Sequence, residues 1–218
     1  MEWKAAGGQP DAEGDVRTRI LGCAVAEFME KGFAGASLRS IASAAEVTTG
    51  AIYGYFASKE ALFDAVVAPA CDELHARYVA IQEGFYDLPP ERQTLDHMQD
   101  YEDGMVHGLL DFVYDHRDAF VLVFAKSAGT PWEAYLDRFI DLEVESTFRY
   151  EREMMSRGVR VNPLSPEMAR ILASMFFRGY FEPLMTDVPR DRAHLFLTDY
   201  ERFFHAGYEA LMRSDPEA

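Results

Sequence analysis

Hydroxyl, phenol and glycine residues recur at helical spacing between residues 37 and 63, where they could contact a nucleic acid groove. Small and apolar residues repeat every three to four positions here, which predicts two short helices joined by a tight turn. On the second helix, Ile52 and Phe56 lie one turn apart and are expected to face the core. Four residues are expected to point outward, where a DNA groove would meet them: Thr49, Gly50, Tyr53 and Gly54. The pattern therefore predicts a helix-turn-helix.

Flanking residues define the elements that must hold this pair in place. Ser37 can cap the first helix with its hydroxyl, and Ser58 can cap the long helix that follows the pair. A preceding helix is predicted from about Val16 to Lys31, with Gly32 in the left-handed position that ends it. These signals predict three packed helices at the start of a longer helical chain.

Several linked motifs in this stretch resemble the DNA-binding domain of the tetracycline-repressor (TetR) family of bacterial one-component regulators. They are the Ile41-Ala42 pair of the first helix, the Gly-x-x-Tyr-x-x-Phe pattern of the second helix from Gly50 to Phe56, and Ser-Lys-Glu-x-Leu from Ser58 to Leu62. One departure is Glu46, which stands in the turn where the family more often has glycine. A non-glycine residue with positive φ costs about 1 kcal/mol, so we expect a tolerated strain at Glu46.

The resemblance implies which residues touch double-stranded DNA. Thr48 and Thr49 would hold phosphate through hydroxyls and free N–H groups at the positive helix end. Arg39 would reach a base edge or a phosphate. The full predicted DNA-binding set is Ser37, Arg39, Thr48, Thr49, Gly50, Ala51, Tyr53, Gly54, Tyr55 and Lys59.

Direct base reading is expected to be sparse. Between Thr48 and Phe56 there is no Arg, Lys, Asn or Gln, the side chains that usually make bidentate contacts with bases. Gly50 and Gly54 could instead let the helix backbone lie close to the groove, with Ala51 touching thymine methyl groups. The hypothesis is that methyl contacts and DNA shape supply much of the sequence preference.

The net charge of −16 is concentrated outside this region. From residue 16 to residue 64 the acidic and basic side chains balance, so the residues after Asp64 carry most of the negative charge. An acidic body would be repelled from DNA unless the neutral domain faced it. An acidic surface that only aids solubility explains the same charge equally well.

Composition and motifs exclude several other classes of protein. Residues 1–14 are predicted to be a flexible arm without a signal peptide's apolar segment, which favours a cytoplasmic location. No apolar run approaches the roughly 20 residues of a membrane helix. Cys23 and Cys71 are expected to be reduced core residues. No catalytic or cofactor fingerprint is present, so we predict no enzyme, no cofactor and no metal site.

A possible cation site lies in the middle of the chain. Asp103, His107 and Asp111 follow one another at four-residue steps on a predicted helix face, which is compatible with metal ligands. A solvated charged face is the favoured interpretation of the same spacing.

Helical periodicity in the remainder predicts an all-α protein of about nine helices. Together with the family resemblance it implies three parts: the arm (1–14), the helix-turn-helix domain (15–64) and a larger effector-binding and dimerisation domain (65–218). The last two helices carry more apolar residues than one subunit can bury, which predicts a homodimer. The predicted dimer interface is Met175, Phe176, Tyr180, Tyr200, Phe203, Phe204 and Tyr208.

The family resemblance implies a dimeric repressor that binds a palindromic operator and is released by a small-molecule effector. The predicted effector pocket is lined by Met105, Leu109, Phe112, Phe124, Trp132, Tyr135 and Phe139. The alternative is a ligand-binding or protein-interaction dimer that has lost operator binding. Three features favour that alternative: Glu46 in the turn, the absence of base-reading side chains on the second helix, and the negative charge of the residues after Asp64.

Overall fold

Helices account for almost all regular structure in the computed structural model, which describes residues 12–213 but not the side chains of residues 12–15, 95, 96, 98–100, 102 and 103. The α-helices are α1 (Ala12–Gly35), α2 (Leu38–Ala44), α3 (Thr49–Tyr55), α4 (Lys59–Tyr86), α5 (Leu95–Asp115), α6 (Arg117–Lys126), α7 (Tyr135–Ser156), α8 (Pro166–Met185) and α9 (Arg190–Met212). Short 3-10 helices precede α5 (Pro90–Arg92) and α7 (Pro131–Ala134). The predicted all-α fold with about nine helices is confirmed.

Two predictions fall at the limits of this description. Residues 1–11 of the predicted arm lie outside the described residues, and residues 12–14 belong to α1. Among residues 12–213, none of the helices combines the length and the apolar character that crossing a lipid bilayer requires.

Local sequence signals set the ends of the helices α1 to α3 and the start of α4. Ser37, Thr48 and Ser58 cap α2, α3 and α4, and each side chain accepts a hydrogen bond from a backbone N–H of the helix that follows. Gly32 has φ 68° and interrupts the helical conformation of α1. The predicted caps at Ser37 and Ser58, and the positive φ at Gly32, are confirmed.

One continuous apolar core joins the amino-terminal helices to the rest of the chain. Phe28 and Phe63 are completely buried and meet edge to face, with ring centroids 5.0 Å apart. The α1 helix also packs along α6, and a Cβ on Gly32 would lie 3.6 Å from the carbonyl oxygen of Lys126. Helix α1 therefore packs directly against the rest of the chain, in addition to the covalent link of the amino-terminal helices through α4.

Aromatic side chains fill the centre of the body. Tyr135 and Phe139 of α7 are buried and pack with ring centroids 5.3 Å apart. Phe181 of α8 lies 6.2 Å from Phe139 and 4.5 Å from Phe124 of α6. The Tyr135 hydroxyl donates a hydrogen bond to the carbonyl of Cys71 at 2.7 Å, which ties this cluster to α4.

Candidate nucleic-acid interface

The turn between α2 and α3 is closed by short-range backbone contacts. The Val47 N–H donates to the carbonyl of Ala42 at 2.9 Å, and Glu46 adopts φ 54°. The positive φ expected at Glu46 is therefore confirmed. The Thr48 hydroxyl then accepts from the Ala51 N–H at 3.1 Å, so the first turn of α3 is capped by its own sequence.

The two faces of α3 differ as predicted. Ile52 and Phe56 are buried in the core, whereas Gly50, Tyr53 and Gly54 are exposed and Thr49 is half-buried. A Cβ on Gly54 would meet nothing within 4 Å, so the chain's own packing does not require a glycine at this position. The exposed side of α3 therefore consists mainly of backbone at the two glycines and of the Tyr53 side chain, which is 55% exposed.

The cations around this surface are not equally available. Arg39 is exposed, and within the described residues its guanidinium makes no hydrogen bond or ion pair. Lys59 is half-buried, and its ammonium donates hydrogen bonds to the backbone carbonyls of Phe33, Ala34 and Ala36, at the end of α1 and directly after it, at 2.8 to 3.4 Å. Arg17, which the sequence analysis did not single out, is exposed on α1 with its guanidinium carbon 5.4 Å from the centre of the Phe56 ring.

Glu27 is a second residue that sequence reasoning missed. Its buried carboxylate accepts hydrogen bonds from Lys31 Nζ at 2.9 Å and from the Ser37 N–H at 3.1 Å. The bond with Lys31, opposed by burial and supported by Ser37, lowers the pKa of Glu27. The four-residue spacing of Glu27 and Lys31 was a visible signal, but the contact with Ser37 depends on how α1 meets α2.

The predicted dimer residues occupy three different environments on α8 and α9. Met175 and Phe203 are 50% and 68% exposed. Tyr180 and Phe204 are buried inside the protomer, where the Tyr180 hydroxyl donates to the Val106 carbonyl at 3.0 Å. The remaining members, Phe176, Tyr200 and Tyr208, are half-buried.

Further apolar side chains that the prediction did not include are exposed on the same two helices. On α8 they are Met168 and Ile171, and on α9 they are Leu195, Phe196 and Leu211. Leu195 is the most exposed of them, at 71%. Together with Met175 and Phe203, these residues form the α8–α9 apolar face.

The residues predicted to line an effector pocket are only partly brought together. Phe124, Trp132, Tyr135 and Phe139 belong to one aromatic cluster, with neighbouring ring centroids 5.3 to 5.9 Å apart. Leu109 is buried, and Met105 is 39% exposed. Their role as a pocket stays a prediction.

Phe112 is linked to that cluster through Phe120, with ring centroids 6.3 Å apart, and it also lines an open cavity of about 580 Å³ between α1, α4, α5 and α6. Its lining combines apolar residues, which include Val25, Val66 and Ala70, with charged residues, which include Glu73 and Asp118. Its lining residues thus come from both the amino-terminal helix α1 and the helices that follow the helix-turn-helix.

His107 and Asp111 contact His194 of α9, whereas the side chain of Asp103, the third member of the possible cation site, lies outside the described residues. His107 Nδ1 lies 2.7 Å from His194 Nδ1, and His194 Nε2 lies 2.9 Å from Asp111 Oδ1. The described side chains include no group of three or more histidines, cysteines or carboxylates arranged to hold a metal ion. The cluster thus links α5 to α9.

The amino-terminal helices match a known family model. Residues 20–66 match the model of the family described as bacterial regulatory proteins, tetR family. The HTH-type transcriptional regulator UidR of Escherichia coli K12 is 30% identical over 115 residues, which are 53% of this chain and 53% of UidR. The chain therefore spans about half the length of that relative.

Longer alignments connect the chain to repressors. The HTH-type transcriptional repressor KstR2 of Mycobacterium tuberculosis H37Rv is 27% identical over 185 residues, covering 84% of this chain and 76% of KstR2. Among solved structures, NalD of Pseudomonas aeruginosa, the secondary repressor of the MexAB-OprM multidrug efflux pump, superimposes with a TM-score of 0.56 and 25% identity over 88% of this chain and 97% of NalD. A TetR-like regulator from Rhodococcus sp. RHA1 has the same fold, with a TM-score of 0.56 and 20% identity over 92% of this chain and all of that one.

Proposed function

Because the amino-terminal domain of this chain belongs to the TetR family of bacterial regulatory proteins, we propose that the protein is a homodimeric transcriptional repressor that a small-molecule effector releases from a palindromic operator. The observation that carries the proposal is the exposed face of α3. Gly50, Tyr53 and Gly54 are accessible on a helix whose opposite side is locked in the core by Ile52. Such a helix can enter a major groove without unfolding or rearranging.

Contact with DNA would combine phosphate binding with close backbone approach. The capped N-terminus of α3 offers free N–H groups beside Thr48, and Arg39 supplies an exposed guanidinium. The two glycines leave room for the groove wall, with Ala51 near thymine methyl groups. Sequence preference would then come largely from methyl contacts and DNA shape, since α3 has no side chain suited to bidentate base reading.

A second copy of the chain would cover the α8–α9 apolar face. Met168, Ile171 and Met175 follow one another at helical spacing on α8 and are all exposed. Leu195 and Phe203 extend the apolar surface along α9. Pairing two such faces would give a four-helix interface. It would also hold the helix-turn-helix units of the two copies at a fixed separation, as binding to two half-sites requires.

Effector control would act through helices that reach both domains. Trp132 Nε1–H donates to Asp64 Oδ1 at 2.6 Å, and Tyr135 bonds to the Cys71 carbonyl, so both aromatic residues hold α4. A ligand that displaced these side chains would favour a different position of α4, and therefore a different position of the helix-turn-helix that precedes it. Release follows if the ligand binds that arrangement more tightly than the DNA-bound one.

Fluorescence anisotropy with the DNA that flanks the gene tests the proposal. We expect specific binding that weakens as salt rises, with a reduced slope of log affinity against log salt for Arg39→Ala. Equal affinity for that DNA and for a scrambled duplex would favour the dimer that has lost operator binding. A melting-temperature screen of small molecules, followed by release assays with each hit, identifies the effector.

A further inference from the structure

The open cavity between α1, α4, α5 and α6 has the size of a small-molecule site. Its volume is about 580 Å³, and ligand pockets in proteins occupy roughly 300–1,000 Å³. Of the residues predicted to line the effector pocket, Phe112 alone lines this cavity. The cavity is therefore a second place in the molecule where a ligand could be held.

Part of the cavity lining is apolar and incompletely covered. Val25 of α1, Val66 of α4 and Ala119 of α6 are half-buried, whereas Ala70 and Phe112 are buried. A ligand that covers the half-buried apolar surface removes it from water, which is favourable in proportion to the area covered. This part of the lining suits a ligand with an apolar body.

The charged part of the lining is mostly acidic. Glu73, Asp115 and Asp118 contribute three carboxylates. Among the described lining residues, Arg117 supplies the one permanent positive charge, and its guanidinium pairs with Asp187, which does not line the cavity. The charge of the lining thus opposes a carboxylate or a phosphate and favours a cation.

The three carboxylates are not equally available to a ligand. Glu73 accepts a hydrogen bond from Arg77 Nε at 2.8 Å, and Asp115 pairs with Arg190. The Asp118 side chain is exposed, and within the described residues it makes no hydrogen bond or ion pair. Asp118 is therefore the carboxylate that can pair with a bound cation without breaking an existing contact.

The helix ends beside the cavity do not reverse this preference. Helix α5 ends and α6 begins on either side of His116, so the negative end of one helix dipole meets the positive end of the other. The N–H groups of Ala119 and Phe120 already donate to the His116 carbonyl, at 3.0 and 3.4 Å. His116 Nδ1 donates to the Phe112 carbonyl at 2.9 Å, which leaves Nε2 of the neutral ring as an acceptor. These contacts favour a ligand that donates hydrogen bonds, as an ammonium does.

We propose that this cavity binds an amphiphilic organic cation, a molecule whose apolar body covers Val25 and Val66 and whose ammonium group pairs with the Asp118 carboxylate. The ligand has both parts because the lining offers both kinds of partner. The site goes beyond the proposed function, since it shares only Phe112 with the predicted effector pocket.

Binding in this cavity affects α1, which contributes Val25 to the lining. The neighbouring Ala24 and Phe28 of α1 are completely buried, in the same core as Ile52 of α3. A cation that binds one spacing of α1 and α6 more tightly than another therefore shifts the helix-turn-helix as well. This consequence for DNA binding rests on the proposed function.

Three probes with one carbon skeleton test the class of ligand. The ω-phenyl derivatives of butylamine, butanol and butyrate carry a positive charge, no charge and a negative charge at neutral pH. Calorimetric titration of the full-length protein at low salt, where charges are least screened, measures each affinity. We expect the amine to bind about tenfold more tightly than the butyrate, with the alcohol between them, because attraction in one case becomes repulsion in the other. An amine that binds no more tightly than the butyrate, or does not bind, overturns the proposal.

The substitution Asp118→Asn tests the location of the site. It removes the charge of an exposed side chain, so we expect the fold to be kept and the affinity for the amine to fall by about threefold, with no change for the alcohol. Asp191→Asn is the matched control: Asp191 is also exposed and also the second residue of a helix that begins with arginine, but it does not line the cavity. Equal affinities of the two variants for the amine contradict the assignment of Asp118.

Hydrogen exchange locates the bound amine without DNA. We expect a saturating concentration of phenylbutylamine to slow exchange in peptides from α1 and from the start of α6, and to leave α7 and α8 unchanged. Slowed exchange in α7 and α8 alone would place the amine at the aromatic cluster and reject the cavity as its site.

Anisotropy titrations with operator DNA test the consequence for α1. We expect saturating phenylbutylamine to weaken operator binding, and unchanged operator affinity would reject the coupling between the cavity and the helix-turn-helix. Failure of the wild type to bind any specific DNA would reject the proposed function. Calorimetry and hydrogen exchange would still decide whether the cavity binds the cation.

Discussion

The substitution Gly54→Ala on α3 should raise the stability of the protein and lower its affinity for DNA. Gly54 is exposed, has no positive φ and would place a Cβ in open space, so Gly54→Ala meets no steric obstacle within the chain. Replacing a helical glycine with alanine stabilises by about 0.5–1 kcal/mol. For a chain of this size the melting temperature should rise by about 1–4 °C.

DNA binding should fall in the same variant if the backbone of α3 approaches the groove. The added methyl group then occupies space that a groove wall needs, and we expect at least a tenfold loss of operator affinity, which is about 1.4 kcal/mol. Anisotropy titrations at constant salt measure the affinity, and calorimetry measures the melting temperature. A loss of binding caused by unfolding would lower the melting temperature, so the rise excludes that explanation.

Gly22→Ala is the matched control for Gly54→Ala. Gly22 is exposed on α1, has open space around the position of a Cβ, and lies outside the predicted DNA-binding set. We expect a similar gain in stability with no change in operator affinity. If Gly54→Ala binds the operator as tightly as Gly22→Ala, the backbone of α3 does not lie close to the groove and that part of the reasoning is wrong.

Three further substitutions test the interface, the carboxylate and the packing. Phe203→Ser should convert the proposed dimer to monomer in sedimentation experiments without lowering the stability of the single chain, since Phe203 is largely exposed, whereas the neighbouring Arg202→Ala should leave the proposed dimer intact. Glu27→Gln should lower the free energy of unfolding by about 2 kcal/mol at pH 7. Because the pKa of Glu27 is lowered in the folded state, its stabilising effect is present above the pKa of the unfolded chain and is lost as pH falls through the folded value. The two unfolding free energies should therefore converge in acid, and a constant difference would contradict this. Gly179→Ala should destabilise by about 1–3 kcal/mol, because a Cβ there overlaps the Tyr200 side chain, and the same substitution should cost less in a Tyr200→Ala background, where the overlap is absent.

Local sequence was sufficient to predict the structure of the helix-turn-helix. The caps at Ser37 and Ser58, the inward side of α3 and the positive φ at Glu46 were all predicted and are all confirmed. Each depends on residues within one or two turns of one another, where hydrogen-bonding groups and helical spacing fix the outcome. The fold class followed for the same reason, since helical periodicity ran through the whole chain.

Side-chain partners that lie far apart in sequence were decided only by the tertiary structure. Nothing in the sequence pointed to the backbone carbonyls that Lys59 contacts, because they lie 23 to 26 positions away in the chain. His107 was grouped with Asp111 by spacing, but its partner His194 comes from another helix. Tyr180 and Phe203 look alike as aromatic residues on α8 and α9, and only packing shows that one is buried and the other exposed. Periodicity shows which residues share one side of a helix, whereas the neighbour that covers that side is determined by how distant helices pack together.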